Sequence, residues 1–374
     1  MHKLSRGGRV DVDLERYGVN VGVMAELATA MGGRLCCVIK ANGYGLGLER
    51  LAPVAAKHGC EAFGVVDNAD ITMLRDLGLK QRIFRLRHAY GDEVAEVAHL
   101  GVEELVSDVD HAEIVASIGR KRGHPIPVHL DVDIGIGRTG CYLPQDLIDV
   151  GEILAMEGLK PVAVMSHFSS ADIDTEITKH QYHMYQSNKA LLHHTYPITQ
   201  SLEFHCANTA ATFTIPEIQS SWLRSGIGTY GETPGPAVHL PLSLRFIARV
   251  VCFVGTVRTL PAGATVGYGM TYQNDKPLRL ATLTVGYADG AWNTIYDRTG
   301  KHVLIRGRHF PVVGRVSMDM ITVDVTEGPD IVSGDEVVLI GEQGDASIGI
   351  HELAAGTGLM GYEVLSSFGH MLGP

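Results

Sequence analysis

From Arg34 onward the chain repeats one pattern: a short run of apolar, often branched residues, then a longer stretch with apolar positions at helical spacing. The runs fall at 34–40, 61–66, 82–86, 103–108, 128–133, 159–167, 201–206 and 222–226. Between them, segments such as 48–58, 110–122 and 175–194 carry amphipathic periodicity. Short apolar runs bounded by turn residues read as strands, and the 3.6-residue period reads as helix. Alternating strands and helices predict a parallel sheet. Eight such units predict an α/β fold, an N-terminal (β/α)8 barrel of the TIM type. An open doubly wound sheet satisfies the same alternation and stays as the competing topology.

The pattern changes after Tyr230. Gly231-Glu232-Thr233-Pro234-Gly235-Pro236 reads as a linker or turn. Beyond it, 244–257, 278–285, 302–305, 311–316, 320–325 and 336–340 read as strands, with one clear helix near 351–355. The expected organisation is a barrel domain over 10–235 and a mainly-β C-terminal domain over 236–374, with residues 1–20 free to pack on the second.

Composition narrows the class. A chain of 374 residues with 45% hydrophobic positions buries a large core and suggests two domains. No stretch reaches the ~18 uninterrupted apolar residues of a membrane helix. The basic N-terminus has no apolar segment behind it, so no secretory signal is expected there. A net charge of -11 argues against nucleic acid as a partner. The six cysteines form no C-x-x-C pair, which suits free thiols in a reducing, cytoplasmic setting. The 18 histidines show no metal-ligand spacing, so no metal is expected.

Lys40 carries the first chemical signal. It closes the run Leu35-Cys36-Cys37-Val38-Ile39 and opens the turn Ala41-Asn42-Gly43-Tyr44-Gly45. Desolvation at a buried strand end lowers a lysine pKa, and a neutral amine forms Schiff bases with carbonyl compounds. A lysine there usually just snorkels to solvent, so the neighbours must decide. In a barrel the C-terminal strand ends form the functional face. Those ends hold Asp131, Asp133 and Arg138 after the fifth run, Ser166-His167 after the sixth, His205 to Thr209 after the seventh, and Arg224 to Tyr230 after the eighth. Asn208-Thr209 starts a helix and Gly226-Ile227-Gly228 exposes backbone amides, the two devices that bind phosphate on barrels. Asn208 also reads as an ordinary helix cap. A lysine and a phosphate cradle on one face outline a pyridoxal 5'-phosphate (PLP) enzyme.

At this point the sequence resembles the alanine racemase family, from about Val10 to Glu363. The resemblance rests on Val38-Ile39-Lys40-Ala41-Asn42-Gly43-Tyr44-Gly45, Ser166-His167-Phe168, Asn208-Thr209-Ala210-Ala211, Arg224-Ser225-Gly226-Ile227 and Tyr230-Gly231. It continues in Val266-Gly267-Tyr268-Gly269, Gly286-Tyr287-Ala288-Asp289-Gly290, Gly314-Arg315-Val316-Ser317-Met318-Asp319 and Tyr362-Glu363. It implies a barrel plus a β domain, a head-to-tail homodimer with composite sites, and racemisation of a small amino acid, alanine or serine. It implies that Lys40 holds PLP and acts as one base, with Tyr268 of the partner subunit as the other. Tyr44, Thr209, Gly226 and Ile227 would hold the phosphate, with Asn208, His167 and Tyr362 nearby. Arg224 would face the pyridine nitrogen, and Arg138 and Met318 the substrate carboxylate. Tyr287, in a gate over 286–293, and Tyr362 would restrict the side chain, with His205 and Asp319 in support.

Two opposed acid/base groups suit racemisation, because the Cα proton leaves one face and returns to the other. Decarboxylases of basic amino acids share the architecture but place an acid at the pyridine nitrogen, so Arg224 and Tyr268 speak against them. PLP-binding proteins without turnover lack the β domain. The family's pattern is broken at Asp131, where a lysine, often carbamylated, is usual. Asp131 is expected to orient Arg138 in its place. Ser225 stands where proline is usual, Ser317 where cysteine is common, and the chain ends without the usual arginine-bearing tail.

Overall fold

The computed structural model describes residues 7–290, 301–355 and 359–371, the side chain of His370 excepted. It divides into two compact bodies. One comprises Leu14–Gly43 and Leu48–Arg245; the other comprises the described parts of Met1–Asp13, Tyr44–Gly47 and Phe246–Pro374.

The first body is the barrel. Its strands are β1 (Arg34–Val38), β2 (Cys60–Val65), β3 (Arg82–Arg85), β4 (Val102–Val106), β5 (Ile126–Asp133), β6 (Leu159–Met165), β7 (Glu203–His205) and β8 (Trp222–Ser225). All ladders between them are parallel, in the order β8-β1-β2-β3-β4-β5-β6-β7. Between β7 and β8 the ring is drawn together by Ser221 N–H to Phe204 O (2.9 Å), Arg224 N–H to Ala207 O (3.0 Å) and a bridge between Asn208 and Arg224. The open doubly wound alternative is therefore set aside. Strands covered on both faces are apolar throughout, as in Leu35-Cys36-Cys37-Val38, all buried.

The helices start where carboxylates cap them. Asp67 Oδ1 accepts from Asp70 N (2.9 Å), Asp108 Oδ1 from His111 N (2.8 Å), and Asp174 Oδ1 from Glu176 N and Ile177 N. Helix Val109–Arg122 stops at Gly123, whose φ of 67° is the left-handed cap.

The two ends of the barrel interior differ. The N-terminal strand ends carry a charged floor. Arg82 clamps Glu103 through Nε–Oε1 (2.5 Å) and Nη2–Oε2 (2.6 Å) and reaches Glu203 (2.8 Å). Trp222 Nε1 also donates to Glu203 (2.8 Å), and Arg34 lies 3.9 Å over the Trp222 ring. Phe84, Ala62, Cys36 and Trp222 fill the middle. The opposite end holds the chemistry described below.

Past β8 the chain does not leave the barrel at the 231–236 turn. Gly231 (φ 73°) lies so close to Arg245 O that a Cβ would stand 1.9 Å from it, and the Asn20 amide ties Thr229 O and Arg245 O (3.2 and 2.8 Å). The segment expected to be a linker or turn is thus a turn packed on the barrel, which continues to Arg245.

The second body is an antiparallel sheet of β9 (Ala248–Leu260), β10 (Leu278–Leu283), β11 (His302–Ile305), β12 (Arg308–Pro311), β13 (Ile321–Asp324) and β14 (Glu336–Gln343), in the order β12-β11-β14-β9-β10-β13. The N-terminal strand Gly8–Val12 pairs with β9. The run 311–316 was expected to be a strand, yet the strand ends at Pro311. Arg306 and Gly307, at φ 51° and 73°, form the two-residue turn that sets the β11–β12 register. The hairpin thus begins at polar Arg308-His309, ahead of the apolar residues that suggested it.

Candidate active site

Lys40 sits just past β1, half-buried. The turn after it is left-handed: Ala41, Asn42, Gly43 and Tyr44 all have φ between 52° and 65°. Consecutive non-glycine residues there cost roughly 1–2 kcal/mol each, so something must hold them. Gly43 N–H bonds Ile39 O (2.8 Å), and Asn42 Oδ1 accepts from Leu48 N (2.9 Å). Buried Asp70 faces the backbone N–H groups of Asn42 and Ala41; burial pushes its carboxyl up to about 6. Burial, then the nearby Arg138 cation, lowers the Lys40 pKa, so more of the amine is neutral.

Arg224, on β8, is 5% exposed and hydrogen-bonded at both terminal nitrogens. Nη1 donates to His205 Nδ1 (2.8 Å) and His205 O (3.2 Å); Nη2 donates to Ser166 O (2.8 Å) and His167 Nδ1 (3.2 Å). Nε donates to nothing among the described residues. His167 is pushed down to about 3 by burial and then by Arg224, Arg138 and Lys40. Its ring is neutral, and since Nδ1 accepts, Nε2 carries the proton.

The residues expected to bind phosphate lie beside this cluster. Asn208 Oδ1 accepts from Ala211 N (2.8 Å), so it caps helix Thr209–Thr214. The Thr209 hydroxyl meets that of Ser225 (3.0 Å) and accepts from Gly228 N (3.4 Å). The N–H groups of buried Gly226 and Ile227 find no acceptor among the described residues. Buried N–H groups without a protein partner call for an anion. A Cβ at Gly228 would stand 2.7 Å from Thr209 Cγ2 and 3.0 Å from Ser225 Oγ, so the turn leaves no room for a side chain.

The fifth strand shapes the loop that carries Arg138. Asp133 Oδ1 accepts from Gly135 N and Ile136 N (both 2.9 Å), and Oδ2 from Gly137 N (3.1 Å). Asp131 is bonded to Thr139 (Oγ1 to Oδ2, 2.6 Å), and no hydrogen bond or ion pair joins it to Arg138 among the described residues. The expected direct orientation of Arg138 is therefore replaced by a hold on the neighbouring residue plus attraction through space. Burial pushes Asp131 up to about 6, against Thr139 and Arg138.

The remaining candidates lie in the second body. The Tyr44 and Tyr362 rings are 6.2 Å apart, and burial pushes the Tyr44 phenol well up, so it stays protonated. Tyr268 is 71% exposed, on a turn with Gly267 (φ 79°), Gly269 (φ 74°) and Met270 (φ 52°). Tyr287 and Met318 are stitched together: Tyr287 N–H bonds Ser317 O (3.0 Å) and Ala288 N–H bonds Met318 O (2.9 Å). Gly286 permits this, since a Cβ would stand 2.2 Å from Ser317 O. Exposed Asp319 contributes its backbone to the same contact. Of the expected gate, 291–293 lie outside the described residues.

The barrel body thus gathers Lys40, Arg138, His167, Arg224, Thr209, Gly226 and Ile227, and the second body presents Tyr44, Tyr362, Tyr268, Tyr287 and Met318. Sequence reading missed Thr139 and Asp70, and it gave no partner to Glu103 or His129, whose Oε2 and Nε2 lie 2.7 Å apart. Period-two alternation was the available signal, since His129, Asp131 and Asp133 share one face of β5.

The donor set fits PLP. A lysine amine of lowered pKa suits the aldehyde, the unsatisfied N–H groups suit the phosphate, and an uncommitted arginine Nε–H suits the pyridine nitrogen. This fold and donor set belong to the barrel-plus-β class of PLP enzymes. Within that class, residues 12–234 match the alanine racemase N-terminal domain and 247–373 the C-terminal domain. The chain belongs to the alanine racemase family. It is 32% identical to the alanine racemase of Desulfosudis oleivorans, over 96% of this chain and 93% of that one. It is 35% identical to the broad specificity amino-acid racemase of Pseudomonas taetrolens (86% and 78% covered) and 33% to the lysine racemase of Proteus mirabilis (85% and 77%). The Bacillus anthracis alanine racemase with bound L-Ala-P superposes with a TM-score of 0.88 at 26% identity, covering 98% of this chain and 94% of that one. The Bartonella henselae alanine racemase with covalently bound pyridoxal phosphate gives 0.84 at 25%, covering 98% and 99%.

Proposed function

We propose that the protein interconverts the L and D forms of a small amino acid, alanine first and serine second, by a two-base PLP-dependent route. The observation that carries this reading is the pairing of Lys40, its amine shifted toward neutrality, with a buried guanidinium whose Nε–H remains to donate. Bound at Lys40, PLP supplies the electron-withdrawing system that makes the substrate Cα–H acidic. Lys40 Nζ takes or returns that proton on one face. Tyr268 Oη of a second copy does so on the other. Arg138 pairs with the substrate carboxylate, with Met318 beside it. Thr209, Gly226, Ile227 and Tyr44 hold the phosphate. Arg224 donates to the pyridine nitrogen and, being unable to give up a proton itself, leaves that nitrogen unprotonated. Tyr287 and Tyr362 restrict the substrate side chain.

The second copy is supported by surface chemistry. Tyr268, Met270, Met318 and Met320 are 71%, 70%, 54% and 50% exposed, and large side chains left open on two neighbouring turns suit a face that a second copy covers. Six free, buried cysteines suit a reducing, cytoplasmic setting. No helix among the described residues is long and apolar enough to cross a membrane.

The test is incubation of the PLP-loaded protein with each L-amino acid in deuterium oxide, following optical rotation and Cα exchange by NMR. Alanine exchanges and loses rotation, with serine slower. Absence of both changes for both amino acids removes the reading. Faster turnover of lysine than of alanine replaces it with the basic or broad specificity of the relatives. Lys40→Ala loses the covalent cofactor absorbance and at least about a thousandfold in activity.

A further inference from the structure

A buried line of side chains crosses the barrel from β4 to β8. Arg82 holds the Glu103 carboxylate, and Glu103 Oε2 meets His129 Nε2 at 2.7 Å. His129 Nδ1 meets His205 Nε2 at 3.0 Å, and His205 Nδ1 meets Arg224 Nη1 at 2.8 Å. Glu103, His129, His205 and Arg224 are 8%, 2%, 0% and 5% exposed. Phe84 seals one side, its ring centre 4.6 Å from that of His129 and 6.0 Å from that of His205.

The two ends fix every proton between them. Arginine only donates, so His205 Nδ1 accepts. Neutral His205 then carries its proton on Nε2 and donates to His129 Nδ1. His129 in turn carries its proton on Nε2 and donates to Glu103, which as a carboxylate only accepts. One arrangement satisfies all three bonds, and a second proton on either ring sets two N–H groups against each other.

We propose that Glu103 and His129 are positioning residues for Arg224: through the fixed Nε2–H form of His205 they hold the guanidinium in the rotation that leaves Nε free. This rests on the reading that Arg224 faces the cofactor. The chain of polarised bonds also carries the Glu103 charge toward a cation whose direct hydrogen-bond acceptors are neutral, with Asp131 acting on it only through space. Cutting it lets the His205 ring change its protonated nitrogen, and the hold on Nη1 is lost.

The experiment uses the PLP-loaded enzyme with 15N-labelled histidine, assigned by single substitution. His129 and His205 each show one protonated and one unprotonated ring nitrogen, both in the Nε2–H form. His129→Leu leaves His205 Nε2–H without an acceptor. It is expected to lower kcat at least about tenfold with KM nearly unchanged, to shift the cofactor absorbance band, and to mix the two ring forms of His205. His129→Asn places an acceptor near the position of Nδ1 and restores the single His205 form and most of kcat. Glu103→Gln keeps an acceptor for His129 without the charge and falls between the two. An Nδ1–H or doubly protonated His205 in the native enzyme overturns the proposal. So does a folded His129→Leu variant with native kcat and absorbance. If His129→Leu does not fold, the ordering of Asn and Gln variants against the native enzyme decides. The ring spectra are read without turnover, so failure of racemisation in the native enzyme overturns the function and leaves the relay separately testable.

Discussion

Asp131 shows how one buried carboxylate sets a stability cost. It is 4% exposed and pushed up to about 6, so the folded protein binds its proton more tightly than the unfolded chain does. The sign follows. Above about pH 6 the ionised carboxylate costs stability, and the cost disappears as the pH falls through 6 toward the unfolded value near 4. Asp131→Asn keeps an acceptor for Thr139 and removes the charge. It is expected to be more stable than the native protein at pH 8 by about 1–3 kcal/mol. The difference should shrink toward zero by about pH 4, which thermal denaturation across pH reads directly. An advantage that grows on acidification defeats this account. Asp131 was visible in the sequence as a departure, yet its partner was not, because Thr139 lies across a loop whose closure depends on Asp133.

At the scale of elements, the strand–helix alternation gave the barrel and the position of Lys40. The polar positions inside the barrel were less legible. An apolar run marks a strand, whereas Glu103, His129 and His205 interrupt such runs and reveal their purpose only when the strands are set side by side. The hairpin at 308–311 was missed for the converse reason: its polar residues pair through backbone and a left-handed turn. The Gly226-Ile227-Gly228 turn after β8 was legible in the sequence, and the structure adds how tightly it is packed. Gly228→Ala brings a methyl within 2.7 Å of Thr209 Cγ2. Thr209 and Ser225 must move, and PLP affinity should fall about tenfold or more, measured by cofactor titration of the apoprotein. Unchanged affinity means that these groups do not hold the phosphate.

For the whole molecule, the proposed pairing of Lys40 with Tyr268 of a second copy makes a quantitative prediction. Mix Lys40→Ala and Tyr268→Ala chains so that subunits exchange at random. Half the dimers then contain both, and each of those has one intact site and one doubly damaged site. Activity should recover to roughly a quarter of native, from two preparations that are each nearly inactive. No recovery despite confirmed subunit exchange means that lysine and tyrosine come from the same chain. The domain count was legible from composition and turn signals. The boundary was not, because the Gly/Pro-rich turn at 231–236 reads like a linker, while the chain beyond it stays tied to the barrel through Asn20 and Arg245.

The residues that follow Lys40 bear on how this chain can be recombined. Tyr44–Gly47 are grouped with the β body although both flanking segments are barrel. Gly45 abuts Ser366 and Gly369, and Tyr44 lies against Tyr362. A crossover at 245/246 between two relatives therefore does not exchange whole modules. It leaves four residues of the old second module stranded in the retained half, opposite a foreign C-terminal helix. Chimeras in this family should be built with a short second graft over 44–47.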